Sequence, residues 1–184
     1  MIFASRYPDK GECYMGIIRN GVDVEKLAET VNAVKADPKN AQVKFMANTK
    51  WISGAYSKTK IRDFVIECDE PSALLGTNKV PNPVEIILAA LGSCLAVGFA
   101  YNAAARDINL ESLDISVEGD LDLRGFLGVS GDVRPGYQNI KATCRIRSDA
   151  SKEKLRELYE HVKRTSPVGD IIRNAEPIMI TLED

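Results

Sequence analysis

Apolar residues follow three patterns along this chain, and the patterns predict its elements. Spacings of three and four mark helices. Val24, Leu27, Ala28, Val31 and Val34 form one stripe over 23–37, with Asp23 placed to cap the start and Asp37-Pro38 to stop it. Such a stripe suits a helix laid across a sheet or subunit surface, the alternative being a partner-binding helix. Leu155, Leu158, Tyr159 and Val162 form a second stripe over 151–164. Ser166 and Pro167 then read as the N-cap and first residue of a short helix that closes at Glu176-Pro177.

Strict alternation marks strands. Over 42–68 it predicts two strands joined near Ser53-Gly54, the second carrying Phe64, Ile66 and Cys68 on one face. Leu113, Ile115 and Val117 alternate with Asp114, Ser116 and Glu118. Ile140, Ala142, Cys144 and Ile146 alternate with Lys141, Thr143, Arg145 and Arg147. These two runs predict an antiparallel hairpin across the glycine-rich loop of 124–136. Ile178 and Ile180 suggest a terminal strand. The order of elements is α+β, without alternating βα units.

The third pattern is no alternation at all. Between Glu85 and Arg106 lie twenty residues without a formal charge. Asn82 reads as N-cap, Pro83 as first helical residue, and Glu85 as first-turn acid favoured by the helix dipole. A helix apolar on every side is surrounded by protein or by lipid. The stretch 83–107 is long enough to span a bilayer. However, seven of those twenty residues are alanine, and Gly92, Ser93, Gly98 and Asn102 lower the apolarity further. The reading is a buried central helix and no membrane span.

Composition narrows the function. A net charge of −2 gives no electrostatic case for nucleic acid or an anionic membrane. Cys13, Cys68, Cys94 and Cys144 are widely spaced and accompanied by one histidine, His161, so neither a metal site nor a disulfide framework is indicated. With no signal peptide apparent, the expectation is a cytoplasmic protein with reduced thiols. Residues 1–14 read as a poorly ordered extension, with Met15 an alternative beginning. The division expected is an N-terminal extension over 1–41, carrying the helix of about 23–37, and one domain over 42–184.

Cys94 lies about 16 Å up its helix from Pro83 at 1.5 Å per residue. The helix dipole fades within the first turn, so a reactive Cys94 needs a cation or donor brought from elsewhere. Glu85 lies about 13 Å from it along the same axis. Taken alone, Cys94 reads as a structural buried thiol, with a reactive one the minority alternative. Lys58, Lys60 and Arg62 recur on alternate residues, either as a solvated strand face or as an anion contact.

The string 82–95, Asn-Pro-Val-Glu-Ile-Ile-Leu-Ala-Ala-Leu-Gly-Ser-Cys-Leu, resembles the signature of the OsmC/Ohr family, the osmotically inducible and organic-hydroperoxide-resistance proteins. Residues 119–128, Ser166-Pro167-Val168-Gly169-Asp170 and Glu176-Pro177-Ile178 agree with it. The resemblance covers about 42–184 and implies an intertwined homodimer, its two central helices crossed under antiparallel sheets. Small residues at Ala89, Gly92, Ser93, Ala96 and Ala100 would let those helices approach.

The resemblance also implies chemistry: Cys94 as the thiolate that attacks an organic hydroperoxide, with Glu85 in the position of the family's glutamate. The family's resolving cysteine is replaced by Ser166, so an external thiol reductant is needed, and no cofactor or metal. Lys58, Lys60 or Arg62 stand as candidate cationic contacts in place of the family's arginine. The alternative is a non-catalytic relative that binds a small apolar or electrophilic ligand at the dimer interface.

Overall fold

The computed structural model describes residues 16–174 and 176–183. The expectations for residues 1–14 and for Cys13 lie outside them. The described residues open with a two-stranded ribbon, β1 (Ile18–Arg19) and β2 (Val22–Asp23), followed by α1 (Val24–Ala36). Asp23 caps α1 by accepting from the Lys26 N–H at 3.0 Å, and the helix stops before Asp37, as the pattern predicts. None of its residues is buried, so its apolar stripe is uncovered in the single chain. The ribbon is tied to the centre of the molecule. The Asn20 side chain donates to the Ile108 carbonyl and accepts from the Leu110 N–H, both at 2.9 Å, and Arg19 pairs with Asp107.

Segment 48–68 corrects the two-strand reading. It is a three-stranded antiparallel meander, β3 (Asn48–Ser53), β4 (Tyr56–Ile61) and β5 (Phe64–Cys68). The first turn falls at Gly54 as predicted. The second is made by Arg62, a non-glycine residue at φ +55°, and Asp63, so no glycine or proline advertised it.

After a loop comes α2 (Pro83–Ala104), three residues shorter than the apolar stretch suggested. Asn82 and Glu85 close a reciprocal capping box at its start. Leu91, Leu95, Phe99 and Ala103 repeat every four residues and form its buried face. Against that face pack the hairpin of β6 (Leu110–Asp120) and β7 (Asn139–Ser148), α4 (Lys152–Thr165) and α5 (Pro167–Arg173). A short α3 (Leu123–Phe126) interrupts the loop between the hairpin strands. The register pairs Leu113 with Ile146, Ile115 with Cys144 and Val117 with Ala142, so the two alternations meet on one face. Leu158 and Val162 of α4 are fully buried against α2. A Cβ at Gly98 would lie 3.0 Å from Val162, so glycine permits this close crossing.

Only one side of α2 is covered. By length and composition it could cross a membrane, at a mean hydropathy of 1.9, and 17 % of that window is buried in the single chain. Ile87, Val97 and Tyr101 are exposed on its other side. The terminal strand expected at Ile178 and Ile180 is also absent. Residues 176–183 carry no regular structure, and both isoleucines are largely exposed. A strand needs a hydrogen-bonded neighbour, and that segment has none among the described residues.

Asp69 is buried at the start of the loop before α2, where its carboxylate accepts from the Thr77 N–H at 2.9 Å and hydroxyl at 2.5 Å. The Thr77 hydroxyl, with backbone donors, holds this carboxyl below the usual carboxylate range. Its contribution to stability is therefore complete above about pH 4 and is lost as pH falls through the lower folded value. Asp69→Asn should flatten the acid limb of a stability–pH curve measured by urea denaturation. Phe99→Ala, emptying the most buried aromatic site of α2, should cost about 3–5 kcal/mol in the same assay; a loss under about 1 kcal/mol would contradict the core described here.

Candidate functional site

Ser166 sits where α4 ends and α5 begins, and it is buried at 4 % exposure. Its hydroxyl caps α5 by accepting from the Gly169 N–H at 3.1 Å. A side chain at Gly169 would crowd that hydroxyl, with a Cβ 3.1 Å from Oγ. The cap fixes where the hydroxyl points. Having accepted from Gly169, Ser166 keeps its own proton free to donate. The Cys94 sulfur lies 3.2 Å from Ser166 Oγ, across 72 residues of sequence.

Cys94 is half-buried and opens into a cavity of about 350 Å³ between α2 and the α4–α5 corner. Gly98 and Asn102 continue the same face of α2 at spacings of four, and Thr165, Ser166 and Pro167 close the far wall. The Asn102 amide donates to the Gly98 carbonyl at 2.9 Å, which leaves its own carbonyl to hold Arg106 at 2.8 Å. Among the described residues no charged side chain lines this cavity. The arrangement offers a thiol, one directed hydroxyl and an apolar surround, which suits a small neutral reactant.

The structure separates the remaining candidates from Cys94. Glu85 is nine residues away on an uninterrupted helix, about 13 Å along the axis. It bonds the Asn82 N–H at 2.8 Å and faces a different cavity, with Glu70, Glu118 and Tyr137. Burial, with Glu85 second, pushes the Tyr137 phenol up, and that phenol donates to the Val84 carbonyl at 2.9 Å. Lys58 pairs with Glu67 at 2.8 Å and lies near the Tyr56 ring, while the Arg62 guanidinium stacks over Phe64. Lys60 is exposed on the same meander, and none of the three lines the Cys94 cavity. Cys68 and Cys144 are free and outside that cavity; burial pushes both thiols up. Asn102 and Thr165 were not foreseen. The four-residue spacing from Cys94 through Gly98 to Asn102 carried the signal for Asn102, and Thr165 adjoins Ser166.

An α+β chain whose central helix carries a half-buried cysteine against a helix-capping serine defines a class of thiol-bearing folds. The chain belongs to the OsmC family: the family model described as OsmC-like protein matches residues 76–181. Solved structures agree in fold. An OsmC-like protein from Mycoplasma pneumoniae superposes with a TM-score of 0.64 at 19% identity, covering 73% of this chain and 90% of that one. An organic hydroperoxide resistance protein OsmC from Legionella pneumophila gives 0.55 at 16%, covering 71% and 90%. An organic hydroperoxide resistance protein from Elizabethkingia anophelis, with thiocyanate bound, gives 0.54 at 14%, covering 73% and 91%. No curated protein matches the chain by sequence.

The contact between Cys94 and Ser166 makes a direct prediction. Ser166→Cys should oxidise to an internal disulfide with Cys94, because Sγ and Oγ are 3.2 Å apart and a small rotation reaches the S–S length. Mass spectrometry of the alkylated protein checks it: two free thiols lost under mild oxidation relative to the same variant reduced, and none in Cys94→Ser/Ser166→Cys.

Proposed function

We propose that the protein reduces organic hydroperoxides through Cys94 and is regenerated by an external thiol. The observation that carries this reading is the Ser166 hydroxyl held against the Cys94 sulfur by its bond to Gly169. A donor so fixed stabilises a thiolate, the form that attacks peroxide. The thiolate takes the outer oxygen of R–O–O–H, the O–O bond breaks, and the products are an alcohol, after protonation, and Cys94 sulfenic acid. A thiol then condenses with the sulfenic acid to a mixed disulfide and water. A second thiol releases Cys94 and leaves as the oxidised disulfide. Serine cannot form the first disulfide itself, which is why the reductant comes from outside. The hydroperoxide resistance named for the Legionella and Elizabethkingia proteins fits this substrate class. Glu85 contributes here as the N-terminal cap that sets α2 in place.

The working unit we propose is a homodimer in the cytoplasm, without bound cofactor or metal. The uncovered face of α2, with Val97 and Tyr101, and the unpaired segment of Ile178 and Ile180 support it. One feature favours a second reading, a non-catalytic binder of small apolar or electrophilic ligands: among the described residues no cation lines the Cys94 cavity.

One titration separates the two. Cumene hydroperoxide added to the reduced protein should consume one thiol per equivalent and place a trappable sulfenic acid on Cys94; Cys94→Ser should show neither. Ser166→Ala should slow the reaction roughly tenfold, the worth of one hydrogen bond to a charged group. No oxidation at moderate excess would sink the peroxidase reading and leave the binder.

A further inference from the structure

A second cavity of about 470 Å³ lies on the covered side of α2, between the β6–β7 hairpin and the α4–α5 corner. Cys94 does not line it; Ser166 stands in the wall between the two spaces. Its floor is apolar, with Leu95, Phe99 and Ile140. Among the described residues three cations, Arg134, Lys163 and Arg173, line it, and no carboxylate does. The chain as a whole has 26 acidic and 24 basic residues, so this three-to-none balance is local.

The cations come from different elements. Arg134 belongs to the loop entering β7, Lys163 to the last turn of α4 and Arg173 to the end of α5. Arg134 and Arg173 form no ion pair among the described residues; Lys163 pairs with Glu160 at 3.5 Å and lies over the Tyr159 ring, 5.7 Å from its centroid. The Arg173 guanidinium is braced by donating to the Lys163 backbone carbonyl at 3.2 Å, which ties the end of α5 to the last turn of α4. Like charges gathered beside an apolar floor repel one another and attract an anion that brings its own apolar body.

We propose that this cavity binds an amphipathic carboxylate, its chain against Leu95, Phe99 and Ile140 and its headgroup among Arg134, Lys163 and Arg173. An apolar molecule alone would leave Arg134 and Arg173 without an acidic partner among the described residues. A cationic amphiphile would be repelled, and an inorganic anion would leave the floor wet. The site goes beyond the peroxide chemistry and does not require Cys94 to react.

Isothermal titration of the reduced full-length protein with decanoate, in the absence of any peroxide, tests this. Decanoate should bind saturably with one site per chain, decanol at least about tenfold more weakly and decylammonium not at all. The triple variant Arg134→Ala/Lys163→Ala/Arg173→Ala should lose about tenfold or more in affinity. Ala142→Trp, which fills the cavity from the hairpin side while keeping all three cations, should abolish binding. Thermal unfolding of both variants separates lost binding from lost fold. Absent saturable binding, equal affinity for decanol, or full affinity in the triple variant overturns the proposal. Because no oxidant is present, a failure here is distinct from a failure of Cys94 to reduce peroxide.

Discussion

The structure depends on one constraint: α2 is apolar on every side, and a helix of that kind has to be enclosed. One stripe, Leu91, Leu95, Phe99 and Ala103, is enclosed within the chain by α4 and the β6–β7 hairpin. The hairpin's alternation, the depth of Leu158 and Val162, and the glycine at 98 all serve that contact. The opposite stripe has no cover in the single chain, and it is not alone. Trp51, Phe64 and Val65 of the meander and Ile178 to Leu182 of the tail are also largely exposed. Apolar surface on this scale marks a site of association. A second copy of the chain, as we propose, would enclose the helix, the meander and the tail together.

The candidate site grows out of ordinary structural rules. A serine that ends one helix and caps the next is held by the cap, and the close crossing of α2 with α4 brings that cap to Cys94. The hydroxyl that satisfies Gly169 is thereby aimed at the sulfur without a further support. Glu85 shows the same economy from the other side. Its carboxylate completes a capping box, and the geometry that makes it a good cap keeps it a long way up the helix from the thiol.

What was legible in the sequence divides by range. The caps at Asp23, Asn82 and Ser166 were readable because each is a local bond over three residues. The pairing of Ile115 with Cys144 followed from period-two alternation on both strands. The third strand of the meander was missed because its turn uses Arg62 and Asp63, which give no turn signal. The terminal strand was overread because alternation reports a face but cannot report a partner. The contact of Cys94 with Ser166 spans 72 residues, beyond any periodicity; only the family resemblance pointed to that pair. For Lys58 and Arg62 the spacing showed a strand face, while their contacts with Glu67 and Phe64 depend on the neighbouring strand and were invisible in it.

Enclosure of α2 is the claim on which the rest leans, and mass in solution tests it most directly. Sedimentation equilibrium of the reduced protein over a wide range of concentrations should return twice the 20.2 kDa of one chain. A stable species at the mass of one chain, soluble and folded at every concentration, would contradict the account.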